Sequence, residues 1–185
     1  MLTNAQIKEI KKLNEKSKAR REAGLFVIEG PKMFAEAPVE WVEKIYVTRE
    51  FLDEIDSEYT SESSSATTIS QMIQWMDHEI VTKEQMAKIS DTQTPQGILC
   101  ILRQPTYSME EMFEKTGKSA NSLYMVLEDI QDPGNLGTIF RTAEGAGGNW
   151  DYYESSNGRH FQSQNNQIHY GVNLQSSFFL YREYK

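Results

Sequence analysis

Two polar side chains in the second half of the chain have types and spacing suited to chemistry. In Asp132-Pro133-Gly134-Asn135-Leu136-Gly137-Thr138-Ile139-Phe140-Arg141-Thr142-Ala143-Glu144, an amide at Asn135 precedes a guanidinium at Arg141. The amide offers a donor and an acceptor, and the guanidinium is a permanently charged fork of donors. Leu123-Tyr124-Met125-Val126-Leu127 predicts a strand, Glu128 to Asn135 an acidic loop with turn chemistry, and Leu136 to Ala146 a helix. Strand, glycine-containing loop and helix N-terminus together place functional groups at the carboxyl edge of an α/β sheet. From the pattern alone two readings stay open. Arg141 reaches back over the loop to work with Asn135, or Pro133-Gly134 is a plain turn, Asn135 a helix cap and Arg141 a surface cation.

A second constellation is electrostatic. The 185 residues carry 19 Lys plus Arg against 27 Asp plus Glu, a formal charge of −8. Residues 1–25 hold seven cations (Lys8, Lys11, Lys12, Lys16, Lys18, Arg20, Arg21) and three acids, a local balance of +4 that leaves −12 for the other 160 residues. Such an arm can meet phosphate while the acidic body keeps the chain soluble, although a solvated helix face has the same composition. The run Lys16-Ser17-Lys18-Ala19-Arg20-Arg21 is expected to continue into a loop, where helical pairing with Glu does not explain it.

The elements that position these groups read as alternating helices and strands. Asn4 is expected to cap a helix with apolar positions Ile7, Ile10 and Leu13, broken by Gly24. Leu25 to Ile28 predicts a buried strand ending at Glu29-Gly30, and Pro31 opens a helix through Ala37. Lys44 to Thr48 predicts a second strand, followed by a helix around Glu50 to Ile55 and a Ser/Thr/Glu-rich loop over 57–67. Met72, Ile73 and Met76 fit one face of a short helix, and Thr82 caps another through Ala87. The polar segment Ser90-Asp91-Thr92-Gln93-Thr94-Pro95-Gln96-Gly97 leads into the strand Ile98 to Leu102. This order implies an α/β fold: a layered domain over residues 1–104, a polar linker over 105–121 and a second domain over 122–185.

Other classes are excluded. The 8 Phe, 9 Tyr and 3 Trp argue against a disordered or fibrous chain. A lone Cys100 excludes a disulfide framework or a multi-cysteine zinc site and fits a reducing compartment. His78, His160 and His169 lack metal-ligand spacing, so no metal is expected. No apolar run reaches the ~18 residues of a membrane span, and Met1-Leu2-Thr3-Asn4 does not open like a secretory signal, so a cytoplasmic location is expected. A dinucleotide-dependent oxidoreductase lacks its G-x-G-x-x-G fingerprint.

The string from Asp132 to Glu144 closely resembles the first signature motif of the SpoU/TrmH-like (SPOUT superfamily) RNA ribose methyltransferases. Phe26-Val27-Ile28-Glu29-Gly30 behind a basic helix, and Ser90 to Gly97 before a strand, resemble that family's amino-terminal substrate-binding domain, which is similar to small ribosomal RNA-binding proteins. The resemblance implies a knotted, Rossmann-like methyltransferase domain. It implies methyl transfer from S-adenosylmethionine to a ribose 2′-hydroxyl of structured RNA, 23S ribosomal RNA in particular, and a homodimer. Arg141 then stabilises the developing alkoxide and Asn135 orients Arg141 or the ribose. Lys12, Lys16, Lys18, Arg20 and Arg21 would contact phosphate, while Glu29 and Gln96 would serve as turn or base-edge contacts. A non-catalytic RNA-binding module is the alternative.

The agreement stops after Gly147. The family continues with a strand, then an Asn-Pro-Lys and Ser-Met-Gly-containing stretch, then a final segment that threads into a trefoil knot and cradles the cofactor. Residues 148–185 instead hold nine Asn or Gln, nine aromatics and only four of Ile, Val or Leu, a composition not expected to supply buried parallel strands. Back-translation of His160 to Gly171, read one nucleotide late, permits Ile-Phe-Asn-Pro-Lys-Thr-Ile-Arg-Ser-Thr-Met, with Gly from the Gly171–Val172 junction. Gly148 to Tyr153 treated likewise permits Val-Thr-Gly-Ile-Ile followed by Met. These are the missing strand and the missing motif, so the tail is expected to be a frameshifted translation with its slip near Gly147-Gly148. No cofactor-binding residue can then be assigned in this reading frame.

Overall fold

The computed structural model describes residues 2–59, 64–104, 124–128, 135, 138, 139, 142, 150–154 and 177–180. The chain divides into two units, Met1–Gln104 and Pro105–Lys185. The expected linker over 105–121 lies outside the described residues.

The first unit opens with α1, Asn4–Glu15. Its cap is Thr3 rather than the expected Asn4: the Thr3 hydroxyl accepts the Gln6 N–H at 3.2 Å, while Gln6 Oε1 accepts the Thr3 N–H at 2.9 Å. This reciprocal pair satisfies two donors that a helix start otherwise leaves open, which Asn4 one residue on does not. The chain turns at Lys16 and continues as α2, Ser17–Ala23, so the basic run expected as a loop is helical. Gly24 ends α2 with φ of 63°. Strand β1 follows, Leu25–Glu29, then α3, Pro31–Glu36, with proline in its first turn. After a short 3₁₀ turn, Val39–Trp41, come β2, Val42–Thr48, and α4, Arg49–Tyr59.

Helix α5 spans Ser64–Trp75. The loop expected over 57–67 is thus helical on both sides of residues 60–63. Strand β3, His78–Val81, is not anticipated by the sequence pattern. Helix α6, Lys83–Ile89, is capped by Thr82 as expected, with Gln85 closing a second capping box. Strand β4, Ile98–Arg103, completes the unit.

The four strands form one sheet in the order β1-β4-β2-β3. β4 is antiparallel to both neighbours, pairing Val27 with Ile101 on one side and Tyr46 with Leu99 on the other, and β3 is parallel to β2. The carboxyl ends of β1, β2 and β3 and the amino end of β4 therefore share one edge of the sheet. Side-chain alternation divides the interior between two faces. Val27, Tyr46, Val81, Leu99 and Ile101 pack with Ile10 and Leu13 of α1 and Met86 and Ile89 of α6. Phe26, Ile28, Ile45, Val47, Ile98, Cys100 and Leu102 alternate with them and are also buried, so both faces are covered. Contacts of α3 with β1 and β4, and of α4 with β2, build that second face. The unit is a three-layer α/β structure, in line with the expected class.

In the second unit, β5, Tyr124–Glu128, pairs in parallel with β6, Trp150–Glu154, and β6 with β7, Ser177–Leu180. The composition of residues 148–185 is not expected to supply buried parallel strands; two strands there do pair in parallel, and the expectation is corrected to that extent. Aromatic side chains favour extended backbone about as well as Ile and Val do, and Trp150-Asp151-Tyr152-Tyr153 and Ser177-Phe178-Phe179-Leu180 are rich in them. Asn135, Thr138, Ile139 and Thr142 are helical, and the Thr142 hydroxyl donates to the Thr138 carbonyl at 2.8 Å, within the helix expected from Leu136.

Candidate nucleic-acid interface

The basic arm is held in shape by one of its own cations. Arg20 is 1% exposed, and its Nη1 donates to the carbonyls of Leu13 at 2.7 Å and Asn14 at 2.9 Å. Those carbonyls lie in the last turn of α1, where a helix has acceptors without an internal donor. Arg20 therefore clasps the corner between α1 and α2. Its expected role as a phosphate contact is corrected: a guanidinium turned inward to two backbone carbonyls cannot also meet a polyanion outside. Lys12, Lys16, Lys18 and Arg21 are exposed, as the expected role requires. Lys18 makes a loose i,i+4 pair with Glu22 at 3.7 Å, both side chains solvated, which is worth little to stability.

The two motifs singled out in the first half meet at the shared sheet edge. Glu29 ends β1, and its Oε1 accepts the hydroxyls of Ser90 and Thr92, each at 2.6 Å. Its Oε2 accepts the Asp91 N–H at 3.4 Å, while Ser90 Oγ accepts the Thr92 N–H at 3.0 Å. Of the two roles expected for Glu29, this geometry is that of a turn organiser. Gly30 has φ of 99°, and a β-carbon there would collide with the Gln96 side-chain oxygen, so Gln96 lies over Gly30. Gly97 has φ of 82°, and its carbonyl accepts the Thr48 N–H at 2.9 Å. Glu29 and Gln96, distant in sequence, thus belong to one crossing of the chain, between β1 and the segment entering β4.

A further bond links this crossing to the basic arm. Asn14 Nδ2 donates to the Ile89 carbonyl at 2.8 Å. Ile89 directly precedes Ser90, and Asn14 lies two residues before Lys16. Sequence reasoning missed Asn14, Ser90 and Thr92 as positioning residues. Hydroxyls within a Ser90-Asp91-Thr92 turn facing a strand-terminal carboxylate were the signal.

Asn135 is helical and exposed, and Arg141 lies outside the described residues. Cys100 is buried in the central strand, and burial pushes its thiol far above its usual range, which suppresses the reactive thiolate. Among the described residues no group of His, Cys, Asp and Glu has the arrangement of a metal site, and no helix is long and apolar enough to cross a membrane.

A mixed four-stranded sheet covered on both faces, followed by a parallel-stranded unit, is the architecture of the SPOUT methyltransferases. An rRNA methyltransferase from Sinorhizobium meliloti with AdoMet bound superposes with a TM-score of 0.71 at 22% identity, over 97% of this chain and 62% of that one. The SpoU methyltransferase AviRb from Streptomyces viridochromogenes, in complex with AdoMet, superposes at 0.71 and 15% identity, over 96% and 62%. Residues 4–100 match the MRM3-like substrate binding domain. The chain belongs to the SpoU/TrmH-like RNA methyltransferase family, its amino-terminal unit being an MRM3-like substrate-binding domain. The Bacillus subtilis 23S rRNA (guanosine(2553)-2′-O)-methyltransferase RlmP is 27% identical over 144 residues, 78% of this chain and 49% of RlmP. The chain spans about half the length of the curated relatives it matches, 49% and 47% of the first two.

Proposed function

We propose that this chain descends from an S-adenosylmethionine-dependent ribose 2′-O-methyltransferase of 23S ribosomal RNA, and that in this form it binds structured RNA with methyl transfer impaired. The observation that carries the reading is the unbroken motif from Asp132 to Glu144, set behind a substrate-binding domain of the same family. A 2′-hydroxyl is a weak nucleophile at neutral pH. A guanidinium at Arg141 would stabilise the alkoxide as its proton leaves, and the Asn135 amide would orient the ribose. The 2′-hydroxyl is also the atom that separates RNA from DNA.

S-Adenosylmethionine, when bound, supplies an activated methyl group on sulfur. The residues at hand do not fit it. β6 and β7 consist of Trp150-Asp151-Tyr152-Tyr153-Glu154 and Ser177-Phe178-Phe179-Leu180, and the chain between them contains neither Asn-Pro-Lys nor Ser-Met-Gly. The motif stretches that the resemblance assigns to cofactor binding are absent from this reading frame. A non-catalytic RNA-binding module is the second reading, favoured by that mismatch beside an intact first unit.

Equilibrium dialysis with labelled S-adenosylmethionine, together with methyl incorporation into 23S RNA transcripts, tests the proposal. No cofactor retention at micromolar concentration is expected, and retention or methylated product overturns the impairment. A chain re-encoded one nucleotide late from Gly148 should regain retention. If it does not, or if stop codons interrupt that frame in the gene, the frameshift origin is wrong.

RNA binding has its own signature. Replacing Lys12, Lys16, Lys18 and Arg21 together with Gln should weaken binding and flatten the dependence of log affinity on log salt by about 0.7–0.9 for each phosphate that is no longer neutralised. An unchanged slope would show that the arm faces solvent only.

A further inference from the structure

RNA binding by a basic arm leaves unassigned how one RNA is told from another. We propose that the segment Asp91–Gln96 reads unpaired RNA bases through Gln93, Thr94 and Gln96, with Glu29 as its positioning residue. The proposal rests on the RNA-binding reading and extends it.

Asp91, Gln93, Thr94 and Gln96 are exposed, yet the segment bearing them is fastened at both ends. At its start, Glu29 accepts from Ser90, Thr92 and the Asp91 N–H. At its end, Gly97 is wedged against Phe51 and Thr48, and the Thr48 N–H donates to the Gly97 carbonyl. Pro95 removes further backbone freedom between them. The result is a display of polar groups whose ordering cost is met on folding rather than on binding.

The chemistry of the display narrows its ligand. From Ser90 to Gly97 there is no cation, so the segment is not built to hold phosphate. Carboxamides and a hydroxyl are the groups that pair with base edges. In an A-form duplex the major-groove edges are hidden in a deep, narrow groove and the shallow minor groove is recognised mostly by shape, so the bases such a display reads are unpaired ones. Phosphate anchoring then falls to Lys12 and Lys16, which the Asn14–Ile89 hydrogen bond ties to the start of the same segment. Glu29 does not touch RNA in this arrangement. Its carboxylate is occupied with Ser90 and Thr92 and acts through them.

The test compares the full chain with Gln93→Ala/Gln96→Ala and with Glu29→Gln. The probes are a fluorescent RNA hairpin with an unpaired loop and the loop-free duplex of the same stem, each titrated at several salt concentrations. The double variant should bind the hairpin about tenfold more weakly, with duplex affinity and salt slope unchanged. Glu29→Gln should weaken hairpin binding alone and raise hydrogen exchange at the Asp91 and Thr92 amides. Unaltered hairpin affinity in the double variant overturns the proposal while leaving the RNA-binding reading intact. Equal loss on both probes, with a changed slope, overturns it in favour of phosphate contact. A parent chain that binds neither probe overturns both readings.

Discussion

Arg20→Ala is expected to destabilise the amino-terminal unit by about 3 kcal/mol, from two carbonyls left without a donor and from the volume vacated. The side chain is 1% exposed and bonded to Leu13 and Asn14, so water cannot readily take its place. Arg20→Met retains most of the volume and none of the donors, and should recover roughly half of the loss. Urea unfolding reads this directly: the midpoint should fall while the slope on denaturant stays constant. RNA titration of the folded variant supplies the contrast with Lys12 and Lys16. If Arg20→Ala instead kept its midpoint and lost one unit of salt slope, the cation would be a phosphate contact and the clasp would be wrong.

Gly97→Ala is expected to cost about 3 kcal/mol for two reasons that act together. Its φ of 82° is uncongenial to any side chain, and a β-carbon would lie 2.8 Å from Phe51 Cβ and 2.9 Å from Thr48 Oγ1. Neither neighbour can yield cheaply, because Phe51 is buried in the second face of the core and Thr48 Oγ1 accepts the Phe51 N–H. Gly24→Ala is the matched control. It carries a φ of 63° with nothing within 4 Å of the added carbon, so only the left-handed strain of about 1 kcal/mol should appear. Equal effects at the two glycines would show that contact at Gly97 contributes nothing.

Much of this architecture is legible in the sequence where local chemistry and burial agree. Thr82 with Gln85 marks a helix start, Pro31 marks another, and Ile98 to Leu102 is too apolar for any place but a buried strand. The misread places are those where composition and context disagree. His78-Glu79-Ile80-Val81 is short and half polar, and it becomes a strand because β2 offers it a parallel partner. The Ser- and Thr-rich run around 64–68 is helical although its residues favour turns, since Ile69 and Ile73 anchor the same helix in the core. Arg20 reads like its basic neighbours in sequence. Only the corner between α1 and α2 turns it inward.

The interface shows the same division. Glu29 and Gln96 are visible as motif residues, but their meeting depends on the antiparallel pairing of β1 with β4, which no local pattern states. Asn135 and Arg141 are legible as a spacing in the sequence alone. In the tail, Trp150, Tyr152 and Tyr153 suit extended backbone, so a strand forms at 150–154 without Val or Ile.

The order β1-β4-β2-β3 has a consequence for biosynthesis. The last strand of the first unit to leave the ribosome is the one that must slide between the first two, so β1 and β2 have no direct partner in each other. Until Ile98 to Arg103 has cleared the exit tunnel, the nascent chain carries two apolar strands with open edges, and closure awaits pairings as distant in sequence as Leu25 with Arg103. Translation pausing before that point prolongs a vulnerable state, whereas an error in decoding after residue 147 arrives when the sheet is already complete.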